Sequence, residues 1–248
     1  LQGTAMQYTP VLLLAIGLSA VSAIQWSLQD TDNKTCVIFA AEVTAKLNIK
    51  NADNITETIS FNINNTISKS GNCAGKWGET PANELVVSFF PDGEKPKSAG
   101  DALPWRLFLW FTASNDSSNV AFKLADYRLE TQFSDKFNST VQNFTKSASA
   151  ELDVKASGTN GFKCSTSGLA LSDESTIDLK DARIIAQAKL EKDEFPADQT
   201  FEQCLLDSRT SDIVPIVVGA CLAGLVAVVL VAYLVGRARA KRAGYASV

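Results

Sequence analysis

The chain contains no histidine among its 248 residues. Imidazole is the usual base for a serine or cysteine nucleophile and a frequent ligand of catalytic metals, so Ser–His, Cys–His and His–metal chemistry are all excluded. No Gly-rich phosphate-binding loop is present either. Carboxylates and lysines are the reactive groups that remain. The carboxylates are scattered through polar stretches such as "QDTDNKT" and "EKDEF", which read as solvated surface rather than as calcium ligands. The chain therefore reads as a non-enzyme, with no catalytic, cofactor-binding or metal-ligating residue assigned.

Two apolar stretches bound the part that folds in water. The first, in "MQYTPVLLLAIGLSAVSA", runs from Val11 to Leu18 and is far shorter than the roughly 20 residues a membrane span needs. Val21 and Ala23 occupy the −3 and −1 positions of a secretory cleavage site, so residues 1–23 read as a signal peptide and Ile24 as the first mature residue. Met6 is the sole methionine, which puts Leu1–Ala5 upstream of the initiator. The second stretch, Ile213–Val235, carries no charge and as a helix measures about 34 Å against a hydrocarbon core of about 30 Å. Arg237, Arg239, Lys241 and Arg242 follow it, and the positive-inside rule places residues 236–248 in the cytosol. The expected arrangement is a type I membrane protein with a lumenal body, 24–208. The Ala220/Gly224 pair is compatible with close approach of a second helix, and hence with self-association.

The body carries 18 Lys and Arg against 26 Asp and Glu, a net charge of about −8, and no basic patch suggests nucleic acid. Its four cysteines, Cys36, Cys73, Cys164 and Cys204, read as two disulfides in a secreted context, with Cys221 left inside the span. Three connectivities are open, and similar spacing favours Cys36–Cys73 and Cys164–Cys204. Six N-glycosylation sequons begin at Asn33, Asn54, Asn64, Asn115, Asn138 and Asn143.

Period-two alternation marks the body as mainly β. In "AKLNIK", Ala45, Leu47 and Ile49 share one face. In "TISFNINNT", Ile59, Phe61 and Ile63 oppose Ser60, Asn62 and Asn64, so a glycan on Asn64 points to water. In "LPWRLFLWF", Trp105, Leu107, Leu109 and Phe111 oppose Phe108 and Trp110, and that strand is expected to be covered on both sides. The alternation in "IDLKDARIIAQAKL" favours a strand reaching Leu190 over a helix, the alternative that its Ala, Arg, Gln and Lys allow. No linker divides residues 24–208, so the expected fold is one domain of two packed antiparallel layers followed by a single membrane helix.

Further residues carry a family resemblance: cysteines paired at a regular spacing, "NVAFKLADYRLETQF" with Asn119, Phe122, Leu124 and Leu129, "FKCSTSGLALSD" leading to "FEQC", and the whole segment "VPIVVGACLAGLVAVVLVAYLVGRARAKRAGYASV". The chain resembles the lysosome-associated membrane glycoproteins from Cys36 to Val248. The resemblance implies a β-prism fold, sequential disulfides, dense N-glycosylation and residence in late endosomal and lysosomal membranes. Vertebrate members commonly join two such domains by a Pro/Ser-rich hinge, whereas this chain shows one and no hinge.

The final "GYASV" fits a tyrosine-based sorting signal, Gly244, Tyr245 and Val248, read by clathrin-adaptor medium subunits that hold the peptide extended with pockets for the ring and for the apolar residue. Tyr8–Val11 matches the same pattern within the signal peptide, so context decides. Ala246 stands where a PDZ domain wants Ser, Thr or a bulky residue. If extended, the nine residues before Tyr245 reach at most about 30 Å from the bilayer. Two functions are expected to compete: a glycosylated coat protecting the lysosomal membrane, and a lumenal binding module or receptor for soluble cargo or lipid.

Overall fold

The computed structural model describes residues 23–50, 55–93, 103–113, 120–133, 141–210 and 213–244. The signal segment up to Ser22 lies outside the described residues. Two six-stranded sheets make up the body. One contains β1 (Ile24–Gln29), β2 (Thr35–Lys50), β3 (Thr56–Asn62), β10 (Gly161–Ala170), β11 (Thr176–Ile185) and β12 (Phe201–Gln203). Its order is β1-β2-β11-β10-β12, and β3 adds to the distal half of the long β2. The other contains β4 (Thr66–Trp77), β5 (Thr80–Phe89), β6 (Trp105–Thr112), β7 (Val120–Gln132), β8 (Val141–Thr145) and β9 (Lys155–Ser157), ordered β4-β5-β6-β7-β8 with β9 also on β7. A short helix α1 (Leu205–Thr210) leads to the long helix α2 (Ile213–Gly244).

Strand parity builds the core. Ala45, Leu47 and Ile49 are at most 1% exposed, and Phe61 and Ile63 are buried as their alternation demands. Leu107, Leu109 and Phe111 of β6 face Phe122, Leu124 and Leu129 of β7 and the inner residues of the other sheet within one apolar cluster. Rings fill the layer at close quarters: Trp26 stacks on Phe39 at 5.2 Å, and Trp105 meets Phe61 edge-on at 5.0 Å and Phe133 at 4.9 Å. Such pairs each contribute about 1 kcal/mol beyond the area they bury.

Polar ties cross from sheet to sheet where buried groups need partners. The Trp26 indole donates to Thr66 Oγ1 at 2.7 Å, and the fully buried Tyr127 hydroxyl donates to the Ala170 carbonyl at 2.6 Å. Asn83 accepts from the Gln187 N–H at 2.7 Å and donates to the Cys73 carbonyl at 2.6 Å, while the Gln187 amide donates to the Phe111 carbonyl at 2.7 Å. Removing Asn83 would deprive two half-buried backbone groups of this partner, at about 1 kcal/mol each. The Cys36–Cys73 disulfide joins the two sheets at the same end, and Cys164–Cys204 ties β10 to the residue before α1. In the chain-entropy account, loops of this length contribute roughly 4 kcal/mol each. The sequential pairing is thus present in the structure, and Cys221 is the free cysteine among the described residues. Gly71 adopts φ +155°, and a Cβ there would fall 1.9 Å from the Glu84 carbonyl oxygen, so the strand pair β4–β5 closes only over a glycine.

The structure departs from the sequence reading in four places. The strand expected to reach Leu190 stops at Ile185. Gln187 turns through φ +55° and spends its hydrogen bonds on the opposite sheet, leaving Leu190 an isolated bridge to Thr35. The layers are not wholly antiparallel, because β12 runs parallel to β10. The outer face of β6 is covered by cations rather than by another layer. Phe108 is 7% exposed because the Arg128 guanidinium lies 4.4 Å and that of Arg106 5.3 Å from its ring centre, both arginines pairing with Glu130. Finally, the helix does not end with the apolar run. It continues through Gly244, and a helical Gly236–Gly244 rises only about 13 Å.

Candidate functional site

The candidate features are distributed: sequons on the body, a disulfide-anchored exit from the body, and the long apolar helix with its tail. Asn33, Asn64 and Asn143 fall in the described residues, and all three are exposed; Asn54, Asn115 and Asn138 lie outside them. Asn33 sits in the turn between β1 and β2 at φ +56°, a left-handed conformation that asparagine tolerates better than most residues. Asn64 follows β3 on the polar side, as its alternation requires. Asn143 lies on β8 opposite Glu130, and the following Phe144 points into the core.

The hydroxyl residues of these sequons behave differently from the asparagines. Thr145 is exposed, but Thr66 receives the Trp26 indole. Thr35 is fully buried with its Oγ1 lacking any partner. A valine fits the same volume without desolvating a hydroxyl. Thr35 is also the hydroxyl residue of the sequon that begins at Asn33, in a place that packing alone would make apolar. In the folded domain Thr35 is sealed from water. The signal was present in the sequence: Thr35 shares the parity of Val37, Phe39 and Ala41, all inward. The structure offers no comparable reason for the orphan hydroxyl of Thr112.

The exit from the body is held by several short-range bonds. Cys204 is bonded to Cys164, and its N–H donates to the Lys163 carbonyl at 3.0 Å. Asp153 accepts the Leu205 N–H at 2.8 Å, and Asp207 accepts the Ser165 N–H at 2.8 Å. Asp207 approaches the two sulfurs, but these are joined to each other and Asp207 is engaged by backbone, so the group is a structural clasp and not a metal-ligand set. Sequence reading identified the cysteines and missed both carboxylates, whose partners are set by tertiary packing. Glu202 fastens the adjacent β9 turn by accepting from the Ser157 N–H at 2.8 Å and from the Asn160 amide at 2.9 Å.

Beyond the clasp, α2 contains the stretch Val217–Arg237, 21 residues of mean hydropathy 2.7, exposed throughout. Among the described residues it is the one helix long and apolar enough to cross a membrane. Gly244 is its last residue; Tyr245 and Val248 lie outside the described residues. The measurement that checks the reading of Thr35 is a pair. In Thr35→Val, the unglycosylated domain gains about 1 kcal/mol in denaturant unfolding, and glycopeptide mass spectrometry of the secreted form shows Asn33 bare. A loss of stability would mean that the hydroxyl is bonded after all.

Comparisons with known proteins converge on one family. The family described as lysosome-associated membrane glycoprotein 2, transmembrane segment, matches residues 214–246. Lysosome-associated membrane glycoprotein 1 of Homo sapiens is 33% identical over 227 residues, covering 87% of this chain and 46% of the relative; that of Bos taurus is 30% identical over 220 residues with the same coverage. The chain thus spans about half the length of these curated relatives. The crystal structure of the membrane-proximal domain of mouse lysosome-associated membrane protein 1 aligns with a TM-score of 0.54 at 18% identity, over 75% of this chain and 98% of that one. The human lysosome-associated membrane protein 3 structure aligns at 0.50 and 17% identity, over 74% and 99%. These structural likenesses support the fold, and over most of its length the chain is similar in sequence to lysosome-associated membrane glycoprotein 1, about half of which it matches.

Proposed function

We propose that the chain is a type I, single-pass glycoprotein of lysosomal and late endosomal membranes. After removal of residues 1–23, its body, 24–208, stands in the lumen as part of a glycosylated coat shielding the membrane. Residues 213–235 cross the bilayer, and 236–248 carry a sorting signal into the cytosol. The observation that carries the coat reading is the disposition of the sequons. Every described asparagine among them is exposed, on a turn or an outward strand position, while the faces between the sheets are apolar. A glycan at each site reaches water without disturbing the core. No catalytic role is assigned to any residue.

The sorting reading rests on Gly244, Tyr245 and Val248 and on the adaptors' need for an extended peptide. Because the helix runs through Gly244, the signal begins where the helix stops, about 13 Å beyond Gly236, closer to the bilayer than an extended tail would put it. Tyr245→Ala is expected to move the steady-state population of a tagged full chain from lysosomes to the cell surface, with the lumenal fold unchanged by protease resistance. Val248→Asp acts in the same direction by denying the apolar pocket its residue. Unaltered lysosomal location in both variants would sink the adaptor reading.

A lumenal body meets about pH 5, and the titration of this one suits that setting. Asn160 and the Ser157 backbone hold the Glu202 carboxyl below the usual carboxylate range, against the opposing effect of burial. Its stabilisation is present above the ordinary value near 4 and is lost as pH falls through the lowered one. Burial, aided by Asp126, pushes Tyr127 up to about 12, so its contribution is complete below the ordinary value near 10 and is lost as pH rises through 12. Neither window touches pH 5 to 7, and there is no histidine to titrate there. The glycosylated body should therefore melt within a few degrees of the same temperature at pH 7 and pH 5. Below about pH 4 it loses stability more steeply than Glu202→Gln does. A large fall between pH 7 and pH 5 in thermal scans contradicts this.

A further inference from the structure

Leu205 and Leu206 open α1 with 58% and 63% of their surfaces exposed. Single exposed leucines are ordinary on soluble domains. Two in succession, on a short helix clamped to the body by a disulfide and two carboxylate–backbone bonds, are not explained by packing within the domain. They flank a rim cavity of about 470 Å³ shared with Leu152, Val154 and the Cys164–Cys204 bridge.

The chain itself says what lies nearby. From Leu206 the helix runs to Thr210, and three more residues bring Ile213, the first residue of α2 and of the charge-free run. Helical rise over the first part and full extension over the second give at most about 17 Å between Leu206 and the start of the apolar run. The headgroup layer on one side of a bilayer is itself about 5–8 Å thick. The leucine pair therefore cannot stand far from the lipid surface, and any tilt of α2 or bend after α1 brings it nearer. Asp207 points the other way, into β10, where it holds the Ser165 N–H. Asp207 and Leu205 are two residues apart, about 200° around the helix, so Leu205 lies on the side of α1 opposite the carboxylate, at the rim of that cavity.

We propose that Leu205 and Leu206 dock into the headgroup region of the lumenal leaflet of the same membrane that α2 crosses, seating the body directly on the bilayer rather than holding it off on a free stalk. The Cys164–Cys204 bridge and the Asp153 and Asp207 contacts transmit that seating to the sheets. An apolar pair at the interface, on a helix whose opposite side is polar, is the arrangement by which amphipathic helices lie on membranes. The docked state leaves the β domain as a layer against the lipid, which is the geometry a coat requires.

This inference rests on the reading that α2 spans a bilayer, and the experiment separates the two. In the full chain with Cys221→Ala, reconstituted in phosphatidylcholine vesicles, single cysteines are placed by Leu205→Cys, Leu206→Cys, Val226→Cys in the middle of α2 and Lys76→Cys at the exposed end of β4 in the other sheet. Each is labelled with a bimane fluorophore. Near-UV circular dichroism checks each fold. Docking predicts that the labels at 205 and 206 are quenched by lipids spin-labelled near the headgroup and shielded from aqueous iodide. Val226→Cys is quenched by deeply labelled lipid, and Lys76→Cys by iodide alone. Iodide quenching at 205 and 206 equal to that at Lys76→Cys, with Val226→Cys in lipid, overturns the docking and leaves the span intact. Iodide access at Val226→Cys overturns the span and the docking together.

Discussion

The dry layer between the two sheets is the constraint on which the rest of the molecule depends. Trp26, Phe39, Phe111, Phe122, Tyr127 and Phe162 are all essentially sealed from water, and the strands that carry them come from both sheets. Once these rings must meet, the parity of each strand is settled, since a slip of one residue would turn every inward side chain outward. The polar consequences follow. Buried donors such as the Tyr127 hydroxyl and the Trp26 indole need partners across the layer and find them. The described sequon asparagines are left to the outer faces and turns.

What the sequence made legible was whatever depends on local periodicity. The faces of β2, β3 and β6, the pairing of cysteines at like spacing and the run of the membrane helix were all readable from residues near one another in the chain. What escaped depends on distant partners. Gln187 ends its strand because Asn83 and the Phe111 carbonyl, far away in sequence, compete for its hydrogen bonds. Phe108 is covered because Arg128 arrives from the neighbouring strand. The pairing of β12 with β10 involves three residues only, too few for any pattern. The helix overran its expected end for a different reason: charge marked the membrane boundary, but Arg, Ala and Lys are good helix formers and carry the helix past it.

The candidate sites were legible in unequal degree. Sequons and the tail motif are short patterns, read directly. Thr35, the hydroxyl residue of one such pattern, lies in a buried place that packing alone would make apolar. The clasp at the exit of the body was half visible, through Cys164 and Cys204. Its carboxylates, Asp153 and Asp207, only acquire meaning once α1 is seen against β10. Together these features describe a body tied by a disulfide and two carboxylate–backbone bonds at its exit toward α2, with its described sequon asparagines at exposed positions.

The claim at the centre of this account is that the glycans, added to an already stable β domain, are what shields it. The direct measurement is the cleavage half-life of the full chain in vesicles, exposed to a mixture of lysosomal proteases at about pH 5, before and after enzymatic removal of its N-glycans. The account predicts several-fold faster cleavage after deglycosylation, beginning at exposed turns, with a melting temperature changed by no more than a few degrees. Equal half-lives with and without glycans would contradict it.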